Sequence, residues 1–211
     1  MSRLRQTIWL TSALIIGSAT SGAYTGDFGT KLGVTVADQK TNAGIVSDVR
    51  PGIRMGVFGR WEVVPNLSLT AEVAYTQRGA KNARVVVPDP VSVNPEPWNA
   101  NHELGYITIP LVADLSFQTE RAVVFGGAGP RFDILIVDSF RSQGQSDVLG
   151  PYYDDFERVV VGASLVGGVR LNESRVSLEL QYNWDLTDSY TVSDTYYFRS
   201  RALDVLFGFT F

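Results

Sequence analysis

Thirteen charged side chains recur on alternate positions of strand-like stretches: Lys31, Arg54, Arg60, Arg131, Arg158 and Arg170 against Glu62, Glu72, Asp114, Asp133, Glu179, Asp185 and Asp204. Gathered on one face, six cations and seven acids are expected to pair, because an isolated ion away from bulk water is costly. By height along their strands, Lys31, Arg60, Asp114 and Arg170 fall in a lower layer. Arg54, Arg131, Arg158, Asp133, Asp185 and Asp204 fall in an upper one, with Glu72 and Glu179 near the middle. Two chemistries fit such a set. One is a salt-bridged plug; the other is a gated ion or proton path through Glu72 and Glu179.

Other chemistry is thin. His102, beside Glu103 in what reads as a long loop, is the single histidine. Nucleophilic catalysis needs a base placed against a nucleophile and an orienting group, and no spacing here fixes one, so no catalytic residue is assigned. Asp147, Asp154 and Asp155 are placed to hold calcium with loop carbonyls or to stand solvated. No metal or cofactor is assigned. Gly126–Gly129 is no phosphate cradle, since neither a helix nor a Lys follows it. With no cysteine, disulfides and thiolate metal sites are excluded.

The charges must be positioned by strands. In 201–211, Leu203, Val205, Phe207, Phe209 and Phe211 share one face, and Ala202, Asp204, Leu206, Gly208 and Thr210 share the other. Side chains alternate across a strand, so the segment has one greasy wall and one mostly small or polar wall. The same parity marks 28–37, 52–62, 67–78, 104–117, 122–134, 156–171 and 175–187. Strand 175–187 is the cleanest, with Leu178, Leu180, Tyr182 and Trp184 opposing Ser177, Glu179, Gln181 and Asn183. Each stretch reaches the ~9–11 tilted residues that cross a bilayer. The expectation is an all-β fold: an eight-stranded, antiparallel, up-and-down transmembrane β-barrel, oily outside and charged inside. Pro110 and Pro130 remove ladder donors inside two strands and are expected to mark bulges.

Connections of 63–66, 118–121 and 172–174 are tight, whereas 38–51, 80–103, 137–155 and 188–200 are long and polar. Short turns on one rim and long loops on the other is an outer-membrane pattern, and an even strand count puts both termini at the short-turn, periplasmic rim. Phe28, Trp61, Phe117, Phe209 and Phe211 then ring that rim, and Tyr75, Phe132, Tyr182 and Trp184 ring the outer one. Arg3, Arg5, the apolar run from Ile8 to Ile16 and Ser21-Gly22-Ala23 read as a secretory signal cleaved after residue 23, leaving a barrel domain over 24–211. Losing two arginines and no acid takes the net charge from −4 to −6, which argues against a nucleic-acid partner.

The segments Tyr75-Thr76-Gln77-Arg78-Gly79, Tyr106-Ile107-Thr108-Ile109-Pro110-Leu111, Gly126-Gly127-Ala128-Gly129-Pro130 and Tyr182-Asn183-Trp184-Asp185-Leu186-Thr187 occur in an order and spacing that resemble the outer-membrane β-barrel domain family including the PorT-like proteins. The resemblance covers roughly 28–211. It implies an eight-stranded barrel and makes the two prolines family habits. Thr108, where that family often has an acid or amide, and the absence of a Lys near Asp114 depart from its pattern. The motifs mark a barrel, not the secretion-machine role tied to PorT. The expected role is structural or surface-interacting, non-enzymatic, with a sealed lumen. The alternatives are a narrow gated channel or a secretion component. Expected partners are outer-membrane lipid and lipopolysaccharide, the barrel-assembly machinery through the strand ending in Phe211, and a surface ligand or protein met by aromatic loops carrying Trp98, Tyr152, Tyr153, Tyr190, Tyr196 and Tyr197. A soluble lipocalin-like carrier would share the topology with the faces reversed.

Overall fold

The structure is a computed structural model that describes residues 26–41, 48–85, 98–142, 158–172, 175–188, 190–193 and 196–211. The proposed signal residues, Asp147, Asp154, Asp155, Tyr152 and Tyr153 lie outside them. The described chain forms strands β1 Gly26–Thr41, β2 Asp48–Val64, β3 Leu67–Val85, β4 Trp98–Gln118, β5 Ala122–Ser142, β6 Val159–Leu171, β7 Val176–Asp185, β8 Tyr190–Ser193 and β9 Tyr196–Thr210. Each strand pairs antiparallel with the next through β7, β7 pairs with β9, and β9 returns to β1. The eight-stranded barrel is therefore closed by β1–β7 and β9. The ninth strand, β8, is a short addition paired to the start of β9.

Closure is what the alternating sequence permits. Every wall strand finds two neighbours, so no polar backbone edge is presented to hydrocarbon. Leu32, Val34, Met55, Val57, Leu69, Val73, Leu165, Leu178, Leu180, Leu203 and Phe207 stand exposed on the outside. Lys31, Thr35, Arg54, Glu72, Thr76, Gln181, Asn183 and Asp204, on the positions between, are buried within. A lipocalin-like carrier is excluded by that arrangement of faces.

The barrel coils tightly enough that some inward positions tolerate no side chain. A Cβ on Gly33 would meet the Val205 carbonyl oxygen at 1.9 Å, and one on Gly129 the Leu111 carbonyl oxygen at 1.8 Å. Glycine is required where backbones approach so closely. At the rim, Asn66 takes φ 70° in the two-residue turn between β2 and β3, a conformation that Asn accepts more readily than most residues.

Three expectations are corrected. First, much of the chain read as long loops is strand. β3, β4 and β5 run 19, 21 and 21 residues, far beyond a bilayer crossing. Their upper parts stay paired, Val85 with Trp98 and Ala100 with Ser142. His102 accordingly sits in β4, opposite Ala80 and Phe140. Polar composition marked these stretches as solvated, and a hairpin standing in water is solvated too.

Second, the prolines are not bulges. β3–β4 pairing lapses between Ala71–Leu111 and Ala74–Thr108 without a change of register, and β4–β5 lapses the same way between Pro110–Arg131 and Ala113–Ala128. Each proline removes a donor from one ladder, and the strands carry on in step. The register shifts fall elsewhere, between Val49 and Arg54, Glu62 and Val64, Ala80 and Ala83, and Gly105 and Tyr106. Third, strand six begins at Val159, not at 156, and strand seven spans Val176–Asp185.

Candidate functional site: the charged lumen

Going round the closed wall, β3 and β7 stand four strands apart, on opposite sides of the barrel. Glu72 projects from one and Glu179 from the other, and Lys31 of β1 reaches both, at 3.2 Å and 2.8 Å. Glu72 also accepts from Arg54 at 2.8 Å, and the same guanidinium pairs with Asp204 of β9. Asn183 donates its amide to Asp204 at 2.8 Å, and its carbonyl accepts from Gln181 at 2.9 Å and from Ser164 at 2.6 Å. One run of hydrogen bonds thus joins β7, β1, β3, β2 and β9 through the axis at mid-height. Four of its members, Arg54, Gln181, Asn183 and Asp204, are at most 1% exposed. An eight-stranded wall leaves just enough room for side chains to fill it. Charges buried this deeply are stable only as a mutually satisfied set.

A second cluster lies above. Arg131 donates Nε to Asp133 at 2.7 Å and pairs through Nη2 with Asp185. Asp133 also takes Arg78 at 2.7 Å, and Asp185 accepts the Ser200 backbone N–H at 2.8 Å. Here the guanidiniums of β3 and β5 and the carboxylates of β5 and β7 bind three strands together. Arg78 also lies over the Tyr106 ring, 5.6 Å from its centroid.

The lower lumen is built differently. Thr70 donates its hydroxyl to Asp114 at 2.5 Å and accepts Arg60 Nε at 3.3 Å. Arg60 lies over both Phe58 and Phe125, at 5.6 Å and 5.4 Å, and Arg170 lies over Phe125 at 5.5 Å. Guanidinium stacking on rings supplies cation–π attraction here in place of close ion pairs. Phe125 packs with Val112 and Val166 as an apolar floor. Between floor and mid-height network lies a cavity of about 10 Å³, room for one water, lined by Lys31, Arg60, Glu72, Asp114, Phe125 and Glu179 among others.

Of the thirteen charges, eleven face the interior: Lys31, Arg54, Arg60, Glu72, Asp114, Arg131, Asp133, Glu179, Asp185 and Asp204 are buried, and Arg170 is half-buried. Glu62 and Arg158 are a correction. Both are exposed at barrel ends, Glu62 beside the β2–β3 turn and Arg158 just before β6. Parity tells which side a residue faces but not where the opposite wall stops. The layering is also corrected, since Glu72 joins Lys31 and Arg54 into one network. Sequence reading missed Arg78, Phe58 and Tyr106 as interior residues, although each shares the parity of its strand's inward set. Asp38, Arg50 and Glu103 mark the mouth opposite the short turns, where Arg50 and Glu103 pair at 2.5 Å.

Interfacial rings complete the surface. Phe28 meets Trp61 edge-on at 6.1 Å and Phe209 meets Phe211 at 5.9 Å near the short turns; Tyr182 lies 5.8 Å from Trp184 at the other end of the belt. Among the described residues no group of three or more His, Cys, Asp and Glu is placed to hold a metal ion.

A family model described as an outer membrane protein beta-barrel domain matches residues 25–191. No curated protein matches the sequence. Among solved structures, Neisserial surface protein A is 15% identical with a TM-score of 0.49, covering 89% of this chain and 99% of that one. The attachment invasion locus protein Ail of Yersinia pestis is 15% identical with a TM-score of 0.42, covering 87% and 99%. The N-terminal β-barrel domain of OprF of Pseudomonas aeruginosa is 13% identical with a TM-score of 0.33, covering 85% and 97%.

Proposed function

The chain belongs to the outer membrane protein β-barrel domain family, and from that premise we propose that it is a sealed, non-enzymatic barrel of the bacterial outer membrane. Its role is structural or surface-interacting, and its raised outer strands meet ligands or partners. The single observation that carries the sealed lumen is Lys31, which ties Glu72 and Glu179 across opposite sides of the wall. Opening a path there requires breaking buried ion pairs, each partner of which would be left charged and poorly solvated.

The orientation proposed with it puts the short turns and both termini in the periplasm and β3–β5 outside. Residues 1–23 are then the cleaved export signal and 24–211 the domain. β9, followed directly by Phe211, is the strand offered to the barrel-assembly machinery, and lipopolysaccharide surrounds the outer rim. A PorT-like assignment is the finer family reading, supported by the four motif segments, which lie in β3, β4 and β5 and across the end of β7.

One observation favours the channel alternative. Thr35 and Thr76 hydroxyls and Asp204 Oδ1 are buried without a hydrogen-bond partner among the described residues, so the interior holds polar groups that water or an ion would satisfy. Planar-bilayer recording separates the two readings. A sealed barrel gives no steady unitary current, and steady steps that vanish in Glu72→Gln would establish the channel instead.

A further inference from the structure

On β9 the outward positions change character at one rung. Phe207 and Leu203 lie exposed on the apolar belt, and the next two outward positions are Arg201 and Arg199. Both are exposed, and they alternate with buried Ser200, Ala202 and Asp204, so they face away from the lumen. Trp184 of β7 is the cross-strand neighbour of Arg201, with Tyr182 beside Leu203 one rung below. On the other flank, β1 sets Asp38 opposite Arg201 and Lys40 opposite Arg199. The belt ends here in a ring pair and two guanidiniums, at the level where a membrane passes from acyl chain to headgroup.

The two arginines are unequally engaged. Arg199 donates Nε to Asp188 at 2.8 Å. Arg201 has no hydrogen bond or ion pair with another described residue, and its guanidinium keeps all five donors for a ligand. Two residues along one strand face are roughly 7 Å apart, close enough for both to approach one phosphate-bearing headgroup. Guanidinium binds phosphate through two parallel N–H···O contacts, which an ammonium cannot match.

We propose that Arg201 and Arg199, with Trp184 beneath them, form a docking site for a phosphorylated glycolipid of the outer leaflet, its phosphate on the guanidiniums and its acyl chains along Leu203 and Tyr182. The inference rests on the outward orientation of this rim given above. It turns a general expectation of contact with lipopolysaccharide into a named site on the β7–β9–β1 face.

The test uses the full mature chain folded in detergent micelles, with folding verified by the mobility difference between unheated and heated samples in electrophoresis. Bisphosphorylated lipid A is titrated and read by tryptophan fluorescence. Binding by the native chain is expected to weaken about tenfold in R199Q/R201Q and to remain unchanged in R121Q/R175Q, whose substitutions lie at the short turns. R201Q alone serves if the double variant fails to fold. Dephosphorylated lipid A and phosphatidylglycerol are each expected to bind at least about tenfold more weakly than bisphosphorylated lipid A. Equal binding by R199Q/R201Q and the native chain overturns the site, and phosphatidylglycerol matching lipid A overturns its assignment to a glycolipid. Loss confined to R121Q/R175Q would show that the orientation is inverted, a failure distinct from loss at neither rim.

Discussion

Arg54 shows what one residue contributes. It is fully buried, pairs with Glu72 and Asp204, and so connects two carboxylates that no solvent reaches. Arg54→Met keeps much of the side-chain volume but leaves both acids short of a partner. Breaking a buried pair from one side costs about 3–5 kcal/mol, and urea unfolding of the variant in lipid vesicles is expected to show a loss of that size. Arg158→Met, made at the exposed rim, is expected to leave the unfolding midpoint where it was. Most of this interior was legible in the sequence, because each charge sat on the inward parity of a strand. Arg78 was not, because it lies at the upper end of its strand pattern, where parity continues but a reader has no measure of where the wall stops. The same lack of an axial scale put Glu62 and Arg158 inside when they are not.

At the scale of a strand, the governing distinction is depth. Leu180 lies midway along the outward face of β7, and Leu171 ends β6 beside a short turn. A lipid-facing Arg costs about 2–4 kcal/mol at the bilayer midplane and about 0–1 near an interface. Leu180→Arg is therefore expected to destabilise the barrel by the first amount and Leu171→Arg by the second, in parallel urea titrations. Equal losses would mean that the belt is not centred where the rings at its two edges place it. Close packing gives a second outcome at this scale. Gly129→Val drives a branched side chain into the Leu111 carbonyl, and little of the variant is expected to fold, as judged by heat-modifiable electrophoretic mobility. The eight wall strands and their facing were readable from period two, and their order from the alternation of short and long connections; the short β8 was not read. The upper ends of β3, β4 and β5 were not, since above the membrane both faces are wetted and alternation no longer distinguishes strand from loop. The prolines misled for a related reason. A missing donor is visible in sequence, but a ladder can skip one rung and keep its register.

Over the whole molecule, two solvents act on one sheet. Hydrocarbon covers the exterior, and the interior is solvated by its own ions, from the Lys31 bridge at mid-height to the Arg131 cluster above. Neither arrangement is stable without the other, because a greasy interior would leave the charges facing lipid. The chain has no cysteine, so single cysteines can carry a nitroxide label with no background. Labels at Leu178, Leu180 and Leu203, in barrels reconstituted into lipid vesicles, are expected to collide freely with dissolved oxygen and to be shielded from a water-soluble nickel complex, with Leu180 the deepest. Strong nickel collision and weak oxygen collision at Leu180 would contradict the assignment of that face to lipid.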